Sequence, residues 1–248
     1  MFDSFGHGGW RFGLFGFPVR VDPSFWIVSV LLGLKSGDAG TVAIWVAVVF
    51  VSILAHELGH AAMGRALGLF GSIELYSMGG LTRWYAGRTA RPRQDIAISL
   101  AGPLTGLALG AAVWGYVQLQ GRPEPYYWRV AVVDLLWVNL GWALLNLLPI
   151  SPLDGGHVTA SAIHWIRGYR DDGLPLIVSV LFGVAAVVAA VLFHMFWAAL
   201  LAVWFTLGSA AALRRYGRLR RQDLPGGAVA AAVAAAGLLA LLHFTGRL

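Results

Sequence analysis

The chain has 248 residues and a mass of 26.6 kDa, with 58% apolar and only 12% charged residues and a mean hydropathy of +0.71. Ordinary soluble domains carry roughly a quarter charged residues, and this chain has too little polar surface to cover a water-soluble globule. Disorder, a collagen-like fold and nucleic-acid binding are excluded on composition, which leaves an integral membrane protein. The net charge of +6 comes almost wholly from Arg, with Lys35 the single Lys, and reads as juxtamembrane anchoring. There is no Cys, so no thiol can ligate a metal, attack a substrate or form a disulfide.

From the N-terminus, Trp10 to Asp22 reads as a short strand or interfacial segment, because Val19 and Val21 alternate with Arg20 and Asp22. It does not read as a cleaved signal peptide. A bilayer core of about 30 Å needs about 20 apolar helical residues. Candidate spans lie at about 23–34 (short), 41–69, 96–119, 130–148, 175–193 and 195–213, with a weaker, Ala-rich seventh at about 228–244. Between the second and third, residues 70–85 read as an apolar β-hairpin turning at Gly79-Gly80, dipping into the bilayer surface. The expected fold is therefore an all-α polytopic membrane protein, with about six to seven transmembrane helices and a small membrane-associated β-hairpin or sheet.

The cationic residues are unevenly shared between the two sides these spans define. One side holds Arg11 and Arg20, the five Arg from 65 to 93, Arg167 and Arg170, and the Arg214–Arg221 cluster. The other holds Lys35, Arg122, Arg129 and Arg247. The positive-inside rule then puts the N-terminus and the ends of the second and fourth spans in the cytoplasm. The 11 Trp suit interfacial belts and packing.

The second span ends in His56-Glu57-Leu58-Gly59-His60. Side chains four apart share a helix face, so His56 and His60 can grip one metal ion, with Glu57 beside it as a general base. Each ionisable group at mid-membrane costs about 2.5–3.5 kcal/mol on insertion scales, a cost that a divalent cation repays. Neutral imidazoles suit zinc, which takes a third protein ligand when one position is left for water. The other His residues (His7, His157, His164, His194 and His243) and the acids Asp95, Asp134 and Asp154 are the available donors. Asp154 is the best placed, just beyond the fourth span, on the same membrane side as His60, after two prolines and before Gly155-Gly156. Its competing reading is a cap on the next helix.

HELGH in a membrane span, followed by Asn146, Pro149, Leu153, Asp154 and Gly155 in an NxxPxxxLDG pattern, resembles the site-2 protease family of intramembrane zinc metalloproteases. Gly13 to Arg20, Pro23-Ser24-Phe25, Tyr76 to Leu81 and Ala101-Gly102-Pro103-Leu104 resemble further family segments. Gly106 stands where the family often has Asn. The resemblance covers about residues 10–165. It implies one Zn2+ per chain on His56, His60 and Asp154, with Glu57 as catalytic base and Asn146 near bound substrate. It further implies a single membrane-embedded protease domain over 1–248, with accessory helices at about 174–246. No stretch is long and polar enough for the PDZ-type or CBS-type domains of other members.

The implied activity is hydrolysis of a peptide bond in or near the transmembrane segment of a membrane-anchored protein, as in regulated intramembrane proteolysis. The expected location is the cytoplasmic membrane, with lipid as the surrounding partner. The hairpin at 70–85 would offer an edge to which an unwound substrate adds as a strand. The alternative is a non-enzymatic metal-binding membrane protein or transporter, against which the fifth and sixth spans are almost bare of polar residues.

Overall fold

A computed structural model describes residues 8–34, 37–85 and 90–220. The chain forms two compact units, Met1–Leu145 and Asn146–Leu248. The first unit begins with β1 (Trp10–Leu14) and β2 (Phe17–Val21), then α1 (Pro23–Gly33) and the long α2 (Ala39–Ala66). The chain returns through β3 (Gly71–Tyr76) and β4 (Gly79–Trp84) before α3 (Pro92–Gln120) and α4 (Tyr126–Leu136). A π-helical segment (Trp137–Gly141) carries α4 into α5 (Trp142–Asn146), where the second unit begins. That unit holds α6 (Asp154–Arg167), α7 (Gly173–Leu192) and α8 (Phe196–Arg220).

The four strands make one sheet in the order β1-β2-β3-β4. Both hairpins are antiparallel, and β2 and β3 run parallel with Val19 opposite Ile73. The crossover between those parallel strands is α1 plus α2, which is how the sheet comes to lie beside α2. Phe17, Val19 and Val21 alternate inward as the period of two requires and pack with Phe25, Leu54, Ala61, Ile73 and Leu75 as the core of this unit. Glu74 is buried in the central strand between Arg20 Nη1 and Arg83 Nε, each 2.8 Å from one of its oxygens. Its charge is thus paired on both sides, the condition for keeping a carboxylate out of water.

The N-terminal segment forms two strands rather than one, joined at Phe15-Gly16, both at positive φ. The second hairpin lies where the sequence puts it, but Ser77 and Met78 make its turn. Gly79 and Gly80 instead open β4, paired with Tyr76 and Leu75. Gly79 takes a φ of 122°, which favours glycine, and Gly80 is required by a close approach of Glu57.

Helix starts follow local chemistry. Asp38 caps α2 by accepting from the Gly40 and Thr41 amides at 2.7 and 3.1 Å. Asp22 caps α1, where Pro23 takes the first turn, the position that tolerates a missing N–H. Five helices among the described residues are long and apolar enough to cross a membrane: α2, α3, the run from Tyr126 to Asn146, α7, and α8 through Gly217. They begin and end within a few residues of the expected spans. The protein is thus a multi-pass membrane protein, mostly helical, with a small sheet. The first expected span forms the 11-residue α1, about 16 Å long and short of a bilayer core. The Ala-rich segment at 228–244 lies outside the described residues. In the second unit, α7 and α8 pack through Val180 and Ala210 and through Val187 and Ala202. The chain reverses between them at His194, which takes a left-handed φ of 55°.

Candidate metal centre

His56, Glu57 and His60 sit in the last third of α2, where the helix passes between α3 and the sheet. Glu57 and His60 are buried, at 5% and 7% exposure. One donor atom from each of the three residues lies within 4.8 Å of the others. The Nε2 atoms of His56 and His60 stand 3.1 Å apart, with the rings nearly perpendicular. Two nitrogens on a tetrahedral zinc ion, each about 2.0–2.1 Å from the metal, would be about 3.3 Å apart. The pair is already at that spacing.

The second nitrogen of His60 explains its orientation. Nδ1 is 2.7 Å from the Ile98 carbonyl on α3, and a carbonyl can only accept. Nδ1 therefore carries the proton, and in the neutral ring the Nε2 lone pair faces His56. On the same side α3 presents Gly102. A Cβ there would lie 2.2 Å from His60 Nε2 and 2.8 Å from His56 Nε2. The glycine thus keeps clear the space into which both nitrogens point. A cradle that a methyl group would fill, lined by two imidazole nitrogens, fits a small metal ion.

Glu57 turns the other way, toward β4. Thr82 Oγ1 donates to its Oε2 at 2.7 Å, and a Cβ on Gly80 would come within 2.5 Å of its Oε1. Gly80 and Thr82 share one face of β4 by the strand's period of two, and that face meets the carboxylate. The sequence reading named Gly80 only as a turn residue and did not single out Thr82. Alternation along β4 puts the two on one face, and only the packing of α2 against the sheet shows that this face meets Glu57.

A polar pair lies one turn before His56 on α2. Asn139 is 2% exposed, and its Nδ2 donates to Ser52 Oγ at 2.8 Å and to the Leu135 carbonyl at 2.9 Å. The sequence reading did not single it out. A deep Asn within an apolar span is the signal that could have found it. Gly106, on α3, faces Asn139 and Ala143.

Asp154 and Asn146 belong to the second unit. Asn146 ends α5, and Asp154 is the first residue of α6. Leu153 stands at the N-cap of α6, which puts Asp154 in its first turn. Gly155 and Gly156 press against the backbone before them. A Cβ on Gly155 would lie 2.1 Å from the Leu147 carbonyl oxygen, and one on Gly156 would lie 2.7 Å from that of Ile150. The segment 147–153 thus folds tightly onto the start of α6. His164 is half-buried against the Asp171 carbonyl and the Asp172 carboxylate.

Residues 125–190, from the start of α4 into α7, match Peptidase family M50. A putative zinc metalloprotease of Synechocystis is 30% identical over 234 residues, which is 84% of this chain and 60% of that protein. The chain resembles Peptidase family M50. A putative zinc metalloprotease of Mycobacterium tuberculosis is 31% identical over 207 residues, 75% of this chain and 51% of that one. The chain thus spans between half and two thirds of the length of these curated relatives. The solved site-2 protease from Methanocaldococcus jannaschii shares the fold, with a TM-score of 0.55 and 20% identity, covering 83% of this chain and 95% of that one.

Proposed function

We propose that this chain is an intramembrane zinc metalloendopeptidase that cuts a membrane-anchored protein in or near its transmembrane segment. The observation that carries the reading is the imidazole pair of α2, with His60 locked by Ile98 so that its lone pair faces His56, beside a buried carboxylate. His56 and His60 hold one zinc ion, and Asp154 supplies the third ligand that the motif resemblance suggests. When bound, zinc acidifies water and polarises a carbonyl. Glu57 takes the proton from the attacking water and passes it to the leaving amine. Thr82 holds the Glu57 carboxylate in place, and β4, an edge of the sheet, takes the unwound substrate as an added strand. Asn146 binds substrate backbone through its amide.

The Arg distribution supports a cytoplasmic-membrane protein with the N-terminus and the site on the cytoplasmic side. Because the chain lacks Cys, single Cys substitutions can be labelled from either side to check this.

The decisive experiment is Glu57→Gln. Peptide hydrolysis should fall to background while one zinc per chain is retained. Hydrolysis that persists overturns the reading, and so does a zinc-dependent transport activity that survives in its place. For the substrate edge, removing Gly79 and Gly80 shortens β4 by two residues and brings Thr82 to the place of Gly80 beside Glu57. Cleavage should drop with zinc content unchanged, and unaltered cleavage removes β4 from the proposal.

A further inference from the structure

We propose that α7 and α8 clamp the Asp154 loop through a closed cycle of hydrogen bonds on Ser151, which makes Ser179 and Ser209 positioning residues for Asp154. This rests on the reading of Asp154 as a zinc ligand.

Ser151 lies three residues before Asp154, within the irregular segment that joins α5 to α6. Its N–H donates to Ser179 Oγ of α7 at 2.8 Å, and its carbonyl accepts from Ser209 Oγ of α8 at 3.3 Å. The two hydroxyls are 2.8 Å apart. One placement of the protons satisfies every contact. Ser209 gives its proton to the Ser151 carbonyl, so Ser179 must donate to Ser209, and the lone pairs of Ser179 receive the Ser151 amide. All three bonds run in the same sense around the ring, an arrangement in which each strengthens the next.

Both serines are buried, at 2% and 3% exposure, within the apolar stretches of their helices. A hydroxyl in such a helix costs free energy unless it finds a partner. Thr206 of α8 finds one in its own helix, at the Ala202 carbonyl. Ser179 and Ser209 instead turn to each other and to the loop. Short-range bonds within the loop, such as Leu153 N–H to the Ile150 carbonyl and Gly156 N–H to that of Leu153, shape it locally. The serine cycle adds a tie from this segment to both α7 and α8. A ligand set by loop backbone is only as well placed as the groups behind it, and removing such supports typically weakens metal binding 10–100-fold.

The test uses the full chain in detergent with zinc as the probe and two readouts, amide hydrogen exchange over residues 147–156 and zinc affinity by chelator competition. Ser179→Ala should speed exchange at Ser151 and its neighbours and weaken zinc binding about tenfold. Ser209→Ala should do less, since the amide bond survives, and Ser179→Thr should restore much of both. Thr206→Val, in the same helix pair but away from the loop, should leave zinc affinity and loop exchange alone. Unchanged loop exchange in Ser179→Ala overturns the clamp. Equal loss of zinc affinity in Ser179→Ala and Thr206→Val overturns the positioning role, because helix packing then accounts for both. If loop exchange rises while neither Ser179→Ala nor Asp154→Asn alters zinc affinity, the ligand reading of Asp154 has failed. The positioning role falls with it.

Discussion

The two parts of the molecule that carry the proposed ligands are held in different ways. His56 and His60 stand on one uninterrupted 28-residue helix, so their spacing is a property of helix geometry. One added bond, to Ile98, fixes the remaining rotation of His60. Asp154 follows a non-helical stretch and depends on backbone packed against backbone at Gly155 and Gly156, and on the serine cycle at Ser151. A helix delivers a pair of side chains by periodicity alone, whereas a single carboxylate at the first residue of a helix depends on how the loop before it is supported. Perturbing the loop should therefore damage the fold of its unit, while perturbing the helix site should damage metal binding first.

Gly155→Ala gives the largest effect. The new methyl would meet the Leu147 carbonyl carbon at 2.3 Å and the carbonyl oxygens of Leu147 and Leu148 at 2.1 and 2.4 Å. None of these is a side chain that can swing away. We expect a loss of about 3 kcal/mol or more, toward the upper end for overpacking, seen as low yield or a strongly reduced melting temperature. A melting curve within a degree or two of the parent would show that the loop is as forgiving as the helix.

Gly102→Ala is the matching change at the helix site. Here the methyl meets imidazole atoms, which can rotate at the expense of the Ile98 bond. The fold should lose only about 1–3 kcal/mol, but zinc affinity should fall at least about tenfold. Measuring melting and zinc competition on one preparation separates the two. A Gly102→Ala protein that binds zinc as well as the parent would mean that the space between the nitrogens is not where the ion goes.

This contrast also explains what was legible in the sequence. The imidazole pair was readable because four-residue spacing on an apolar helix has one geometric meaning, and the long spans were readable because bilayer thickness sets their length. Gly-Gly is a turn signal, so the sequence alone puts the two glycines of β4 in a turn. Only the approach of α2 to the sheet, a tertiary contact, shows that Gly80 makes room for Glu57. Thr82, Ser179 and Ser209 were invisible for the same reason. Ser and Thr are ordinary residues in membrane helices and strands, and their partners lie 25 to 58 residues away in the chain. The parallel pairing of β2 and β3 was likewise hidden, since the alternation of Val19 and Val21 gives a strand but not its neighbour.

The smallest expected effect concerns a carboxylate whose role is purely local. Asp22 accepts from the Ser24 hydroxyl at 2.6 Å and the Ser24 amide at 2.9 Å, and Arg20 stands 3.3 Å away. These donors favour the ionised form, the Ser24 hydroxyl most strongly, and hold the Asp22 carboxyl below its ordinary value of 3.8. Because the folded value is the lower one, the stability this group contributes is complete above the unfolded value and is lost as pH falls through the folded one. Asn caps helices about as well as Asp, and the group is partly open to solvent, so Asp22→Asn should cost only a few tenths of a kcal/mol near pH 7. That small gap in melting temperature should close as the pH drops below about 4, where the parent carboxyl is protonated as well. A gap that instead widens in acid would mean that Asp22 is held by something other than its ionised cap. The distinction between a carboxylate that merely starts a helix and one that is held for a ligand would then have to be drawn elsewhere than between Asp22 and Asp154.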